Sequence, residues 1–181
     1  MNMERYDRII AIDPDVDKSG VAEFNLSSKK MEATTLCFPD LTDYLRHVRQ
    51  NFAGKGEKVA VIVEAGWMNA TNWHTDRVRS IAAAAKTGQN TGRNHETARK
   101  IAEMSRHYGL ETIEVKPLRK CWKGRDGKIT HDELNGMLEA SGITPMTGRT
   151  NQEMRDAVLL AVFHSGIPVR MNLNESGRRK I

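Results

Sequence analysis

Val59-Ala60-Val61-Ile62-Val63-Glu64 is five apolar residues closed by an acid. An uninterrupted apolar run of this kind predicts a central strand over 58–64, covered on both faces. Ile9-Ile10-Ala11-Ile12-Asp13 repeats the pattern and predicts a short buried strand over 8–13. Between the two lie a polar turn from Pro14 to Gly20 and strands over 20–26 and 30–37, joined by a hairpin at Ser27-Ser28-Lys29. Leu41, Tyr44, Leu45, Val48 and Phe52 have helical spacing, which predicts a helix from Asp40 to Phe52 capped by Asp40 or Thr42 and ended by Gly54 and Gly56.

Beyond Glu64, Ala65 to Thr75 reads as an irregular loop carrying Trp67 and Trp73. A helix over 76–86 is followed by a break at 87–93, where Gly88, Asn90 and Gly92 fall. A second helix over 94–108 is capped by Asn94 and stopped by Gly109. A strand over 111–116 ends at Pro117, and a basic loop leads to a helix over 130–141. Thr130 and Glu133 give that helix a capping box, and Gly142 ends it. The last helix runs from Asn151 to Ser165, ahead of a basic tail over 170–181. Hairpin-joined strands followed by strand–helix crossovers predict an α/β domain over 1–169 with a mixed five-stranded sheet.

The chain has 181 residues, 28 Lys and Arg against 23 Asp and Glu, and two cysteines. Its length suits one domain with a sizeable core. No apolar run approaches the roughly 20 residues of a membrane helix. Met1 to Arg8 is polar, so no export signal is expected. Cys37 and Cys121 fit a reduced, cytoplasmic protein better than a disulfide scaffold. The net charge of +5 permits a polyanionic partner. Its distribution sharpens this: Lys116, Arg119, Lys120, Lys123, Arg125 and Lys128 face one acid, Asp126, within 116–128. Arg77, Arg79, Lys86, Arg93, Arg99 and Lys100 form a looser basic stretch. A solvated lysine-rich face and a phosphate-binding channel both answer to this clustering.

The acids that close apolar segments carry the chemistry. Asp13 and Glu64 end strands, where ligands of open sheets gather. Asp156 opens the apolar stretch Ala157 to Phe163, and Glu153 lies one turn before it on the same helix face. Carboxylates beside so much apolar surface are costly unless paired or bound to a cation. Each has a plainer reading: Asp13 as an Asp-Pro turn former, Glu64 as the partner of a lysine, Glu153 as the acid of a Thr150 capping box. Oxygen-only ligands select Mg²⁺, with Mn²⁺ as a substitute, over zinc, and the six histidines show no zinc spacing.

Taken in order, Ile9-Ile10-Ala11-Ile12-Asp13-Pro14 through Ser19-Gly20, Val61-Ile62-Val63-Glu64, and Glu153-x-x-Asp156-Ala157 resemble the motifs of the RuvC-type Holliday-junction resolvases, in the ribonuclease H-like superfamily. The resemblance runs from about residue 8 to 166. It implies a ribonuclease H-like fold and a homodimer that cuts branched DNA by two-metal-assisted phosphodiester hydrolysis with Mg²⁺. It implies Asp13, Glu64, Glu153 and Asp156 as metal ligands, Lys116 and Lys128 near the scissile phosphate, and Trp67 stacking on bases at the junction. Arg93, Arg119 and Lys120 are further expected DNA contacts. Three departures stand out. Asp15 replaces the glycine that usually follows Asp-Pro, Glu153 replaces an aspartate, and the 66–75 and 88–92 segments are unlike typical members. Trp67, Trp73 and Trp122 are equally readable as core anchors. Three other functions stay open: a catalytically silent module that binds branched nucleic acid, a ribonuclease H-like nuclease with flap or hybrid specificity, and a phosphate-binding ATPase built on the hairpin after Asp13.

Overall fold

The computed structural model describes residues 6–69 and 80–170. The expectations for Trp73, Arg77, Arg79, the 76–79 helix start and the 171–181 tail lie outside the described residues. Five strands, β1 Arg8–Asp13, β2 Ser19–Asn25, β3 Lys30–Leu36, β4 Val59–Glu64 and β5 Glu111–Val115, form one sheet in the order β3-β2-β1-β4-β5. The β1–β2 and β2–β3 pairs are antiparallel, and β1–β4 and β4–β5 are parallel. This is the mixed five-stranded sheet that the sequence predicts, with each strand within one residue of its expected bounds.

Among the described residues, four α-helices cover the sheet: α1 Phe38–Asn51, α2 Ile81–His107, α3 His131–Ala140 and α4 Gln152–Phe163. Side chains alternate across a strand, so each central strand feeds two cores. Ile10, Ile12, Val61 and Val63 pack with Leu41, Leu45 and Val48 of α1 and Ile101 of α2. Ile9, Ala11, Ala60 and Ile62 pack with Leu134 of α3 and with Val158 and Leu160 of α4. All five apolar residues of β4 are buried, as expected for a strand covered on both faces. Among the described residues, no helix is long and apolar enough to cross a membrane.

Three boundaries differ from expectation, each for a local reason. Helix α1 starts at Phe38, not at a cap on Asp40 or Thr42; a proline in its first turn presets φ, and Cys37 occupies the cap position without a side-chain cap bond. The helices expected over 76–86 and 94–108 are one helix, α2, which runs unbroken through Gly88 and Gly92. Each glycine costs about 1 kcal/mol against alanine in a helix. Good helix formers around them, including Ala82 to Lys86, carry that cost. Ser80, not Asn94, caps α2, its Oγ accepting from the Ala83 N–H at 3.2 Å. Helix α4 is capped by Asn151, whose Oδ1 accepts from the Met154 N–H at 2.9 Å, so the expected Thr150–Glu153 capping box does not form. The Thr130–Glu133 box on α3 does form.

Candidate active site

The alternation that builds the two cores also aims the acids. Ile9, Ala11 and then Asp13 share the sheet face covered by α3 and α4, as do Ala60, Ile62 and then Glu64. The last parallel pair is Ile12 with Val63, so Asp13 and Glu64 leave neighbouring strands side by side. Parallel neighbours lie about 4.8 Å apart. In β2, Gly20 pairs with Asp13, and the first turn of α4 rests on that glycine. The contact sets Glu153 beside the end of β1. Asp156, one turn further on, reaches the same sheet end.

The acids act on one another electrostatically. The Asp13 carboxyl is pushed well above the usual carboxylate range, first by burial and then by Glu64, Asp156 and Glu153, with Lys120 opposing. Glu64 is raised to about 7 by burial and by Asp156, against Lys120 and a hydrogen bond from the Leu118 backbone. Asp156 is raised by burial, offset by a hydrogen bond from Gln152 and by Lys120, Lys128 and Arg155. Among the described residues, the Asp13 carboxylate has no hydrogen-bond or ion-pair partner. Neither the turn-former reading of Asp13 nor an ion pair for Glu64 neutralises this charge.

Burial of mutually repelling carboxylates, on the order of several kcal/mol per uncompensated ion, is the condition a hard divalent cation relieves. The donor set fits such a cation in kind and in charge. Among the described residues, no three acidic, cysteine or histidine side chains stand close enough together to hold a metal as placed.

The basic residues divide. Lys120, in the loop after β5, is the cation that opposes the charge of Asp13, Glu64 and Asp156 alike. Lys128 faces Asp156. Lys116 and Arg119 are exposed, and neither figures in the electrostatics of the acids. Arg93 is exposed on the first half of α2, away from the buried stretch that starts at Ala98. The loop itself is shaped: the Trp122 N–H donates to the Gly127 carbonyl at 3.0 Å, and the Gly124 N–H to the Lys128 carbonyl at 3.0 Å. Gly127, at φ 73°, takes the left-handed conformation that this tight return requires.

Trp67 follows Glu64 in a short 3₁₀ turn, Gly66–Met68. Its ring is half-buried against the α1–α2 core, edge-on to His95 with centroids 6.0 Å apart. The Arg99 guanidinium sits 4.8 Å above it. Trp122 packs against the opposite core. Both rings act as anchors in this structure.

Two residues next to the acids were not legible as site residues. Gln152 and Arg155 both engage the Asp156 neighbourhood through hydrogen bonds. Their signal was the i,i+4 and i,i+3 spacing, which becomes meaningful only once α4 is known to start at Gln152.

No family model matches the sequence, and no curated protein matches it. Among solved structures the chain is similar to a Thermus thermophilus RuvC structure, at 16% identity and a TM-score of 0.47, covering 87% of this chain and 93% of that one. It is similar to T. thermophilus RuvC in complex with a Holliday junction substrate, at 14% identity and a TM-score of 0.46, covering 87% and 92%. A more distant likeness is to the large terminase nuclease of thermophilic phage G20c, at 11% identity and a TM-score of 0.30, covering 88% and 83%.

Proposed function

We propose that this chain is a divalent-metal-dependent endonuclease of the ribonuclease H-like type, cutting branched DNA by phosphodiester hydrolysis. The observation that carries the reading is the mutual electrostatic influence of Asp13, Glu64 and Asp156, with Glu153 acting on Asp13 and Lys120 opposing their charge. Asp13, Glu64, Glu153 and Asp156 would hold Mg²⁺, or Mn²⁺ in its place. Bound there, the metal would supply activated water and charge to stabilise the leaving oxygen. Lys120 and Lys128 attract the phosphate and offset charge that builds on it. The loop from 116 to 128, with Arg119, tracks the backbone, and Arg93 lies on a further basic face. A homodimer accords with symmetric cutting of a four-way junction.

The test is cleavage of synthetic four-way junction, flap, RNA–DNA hybrid and plain duplex side by side, in Mg²⁺ and in chelator. Preferential metal-dependent cutting of the junction supports the reading. Cutting confined to flap or hybrid keeps the nuclease chemistry and replaces the substrate. The wider spacing of the carboxylates favours one second reading, a silent module that binds branched nucleic acid. Tight junction binding without cleavage in any metal would establish it.

A further inference from the structure

We infer that Gln152 and Arg155 form a positioning clamp that holds one oxygen of Asp156 and leaves the other for a cation. The consequence for catalysis rests on the nuclease reading; the effect on metal binding does not. Gln152 Nε2 donates to Asp156 Oδ1 at 2.7 Å. Its Oε1 accepts from Arg155 Nη2 at 2.9 Å. A guanidinium can only donate, so it fixes which end of the Gln152 amide faces it and forces the NH₂ toward the carboxylate.

Arg155 is in turn committed on every nitrogen. Nε donates to the Ile129 carbonyl at 2.9 Å, and Nη1 to the Thr150 carbonyl at 2.6 Å and to Thr150 Oγ1 at 3.3 Å. Thr150 Oγ1 also meets His131 Nδ1 at 2.9 Å. Asn135 brackets the Met146 backbone, accepting from its N–H at 2.8 Å and donating to its carbonyl at 3.2 Å. That orientation turns the Asn135 NH₂ toward His131 Nε2, 3.0 Å away. His131 therefore accepts on Nε2 and donates from Nδ1. The chain of bonds runs from the half-buried first turn of α3 to a single carboxylate oxygen.

The arrangement has a chemical logic. A guanidinium paired directly with Asp156 would neutralise the ligand. Gln152 stands between them and passes on a neutral donor, so the carboxylate keeps its charge and loses its freedom to rotate. The bond to the Ile129 carbonyl also ties the loop that carries Lys128 to the helix that carries the acids.

The test is Mn²⁺ titration of the full chain by electron paramagnetic resonance, with single-turnover cleavage of a synthetic junction in parallel. Wild type is compared with Gln152→Met, which keeps the volume, with Arg155→Lys, which keeps the charge, and with the double variant. Thermal midpoints without metal serve as the fold control. Outer-sphere partners of this kind are worth roughly 10–100-fold in metal affinity or activity. Each single variant should weaken Mn²⁺ by about that factor, and the double variant should be no weaker than the worse single one. Unchanged Mn²⁺ binding in Gln152→Met at an unchanged midpoint overturns the clamp, as do additive losses. Weakened binding in Gln152→Met, with no DNA cut by wild type, upholds the clamp and removes the nuclease reading. No Mn²⁺ bound by wild type overturns both.

Discussion

Gly20 and Glu153 are in backbone contact: a Cβ on Gly20 would lie 1.9 Å from the Glu153 carbonyl oxygen. Gly20 is paired with Asp13 across β1 and β2, so the missing side chain lets α4 bring its acids down onto the strand end. Gly66 does the same for α2, since a Cβ there would lie 2.8 Å from His95 Nε2. Gly20→Ala must displace helix backbone, and overpacking costs about 1–3 kcal/mol, occasionally more. Urea unfolding should show that loss. Gly66→Ala meets the tip of a side chain and should cost less.

Asp13→Asn and Glu64→Gln remove charge from a site where charge is repelled. Without metal, each variant should be more stable than wild type at pH 7, Glu64→Gln by roughly 1–3 kcal/mol given about 1.4 kcal/mol per pKa unit. Both should lose Mg²⁺-dependent cleavage while retaining junction binding. Full cleavage by either would remove it from the ligand set.

The stability of the metal-free protein should depend on pH in a defined direction. Glu64 titrates near 7 in the fold, against an ordinary value of 4.5. Between those values the folded chain holds a proton that the unfolded chain has released, so stability falls as pH rises through the window. Asp13, also raised, adds to the slope. Urea midpoints in chelator should decline from about pH 4.5 to about pH 7, and Mg²⁺ should restore the loss at the upper end. A midpoint that rises over this range contradicts the placement of these carboxyls.

Lys120 and Lys116 should separate on mutation. Lys120 alone among them opposes the charge of three acids. Lys120→Ala should reduce single-turnover cleavage by about 10–100-fold, within the range for loss of one charge-stabilising donor. Its pH–rate profile should also shift upward, because Glu64 loses the neighbour that holds its pKa down. Lys116→Ala should cost only a few-fold through weaker DNA binding, with a smaller salt slope. The opposite ranking would return the phosphate-facing role to Lys116.

The sheet was legible because its signals are local. Apolar runs ended by Asp13 and Glu64, a hairpin at Ser27 to Lys29, and strand–helix crossovers leave few other arrangements. Asp13 and Glu64 lie at the same end of the sheet because each is the last residue of its strand and the two strands are parallel. The continuity of α2 was not legible, because Gly88 and Gly92 read as breakers while the balance of propensity over 27 residues is nonlocal. The cap of α4 turned on whether Thr150 or Asn151 supplies the oxygen, and the pull of His131 and Arg155 on Thr150 decides it. The clamp on Asp156 was hidden for the same reason: it assembles from α3, the basic loop and α4 only after they pack. Lys120 stood among six basic residues in its loop, and only the fold distinguishes it.

The claim on which the account turns is that Asp13, Glu64, Glu153 and Asp156 share one cation site. Anomalous diffraction from crystals of the protein grown with Mn²⁺ tests it most directly. The account predicts anomalous density bounded by Asp13, Glu64 and Asp156, lost in Asp13→Asn. Density elsewhere, or its absence at saturating Mn²⁺ with the carboxylates still apart, would contradict it.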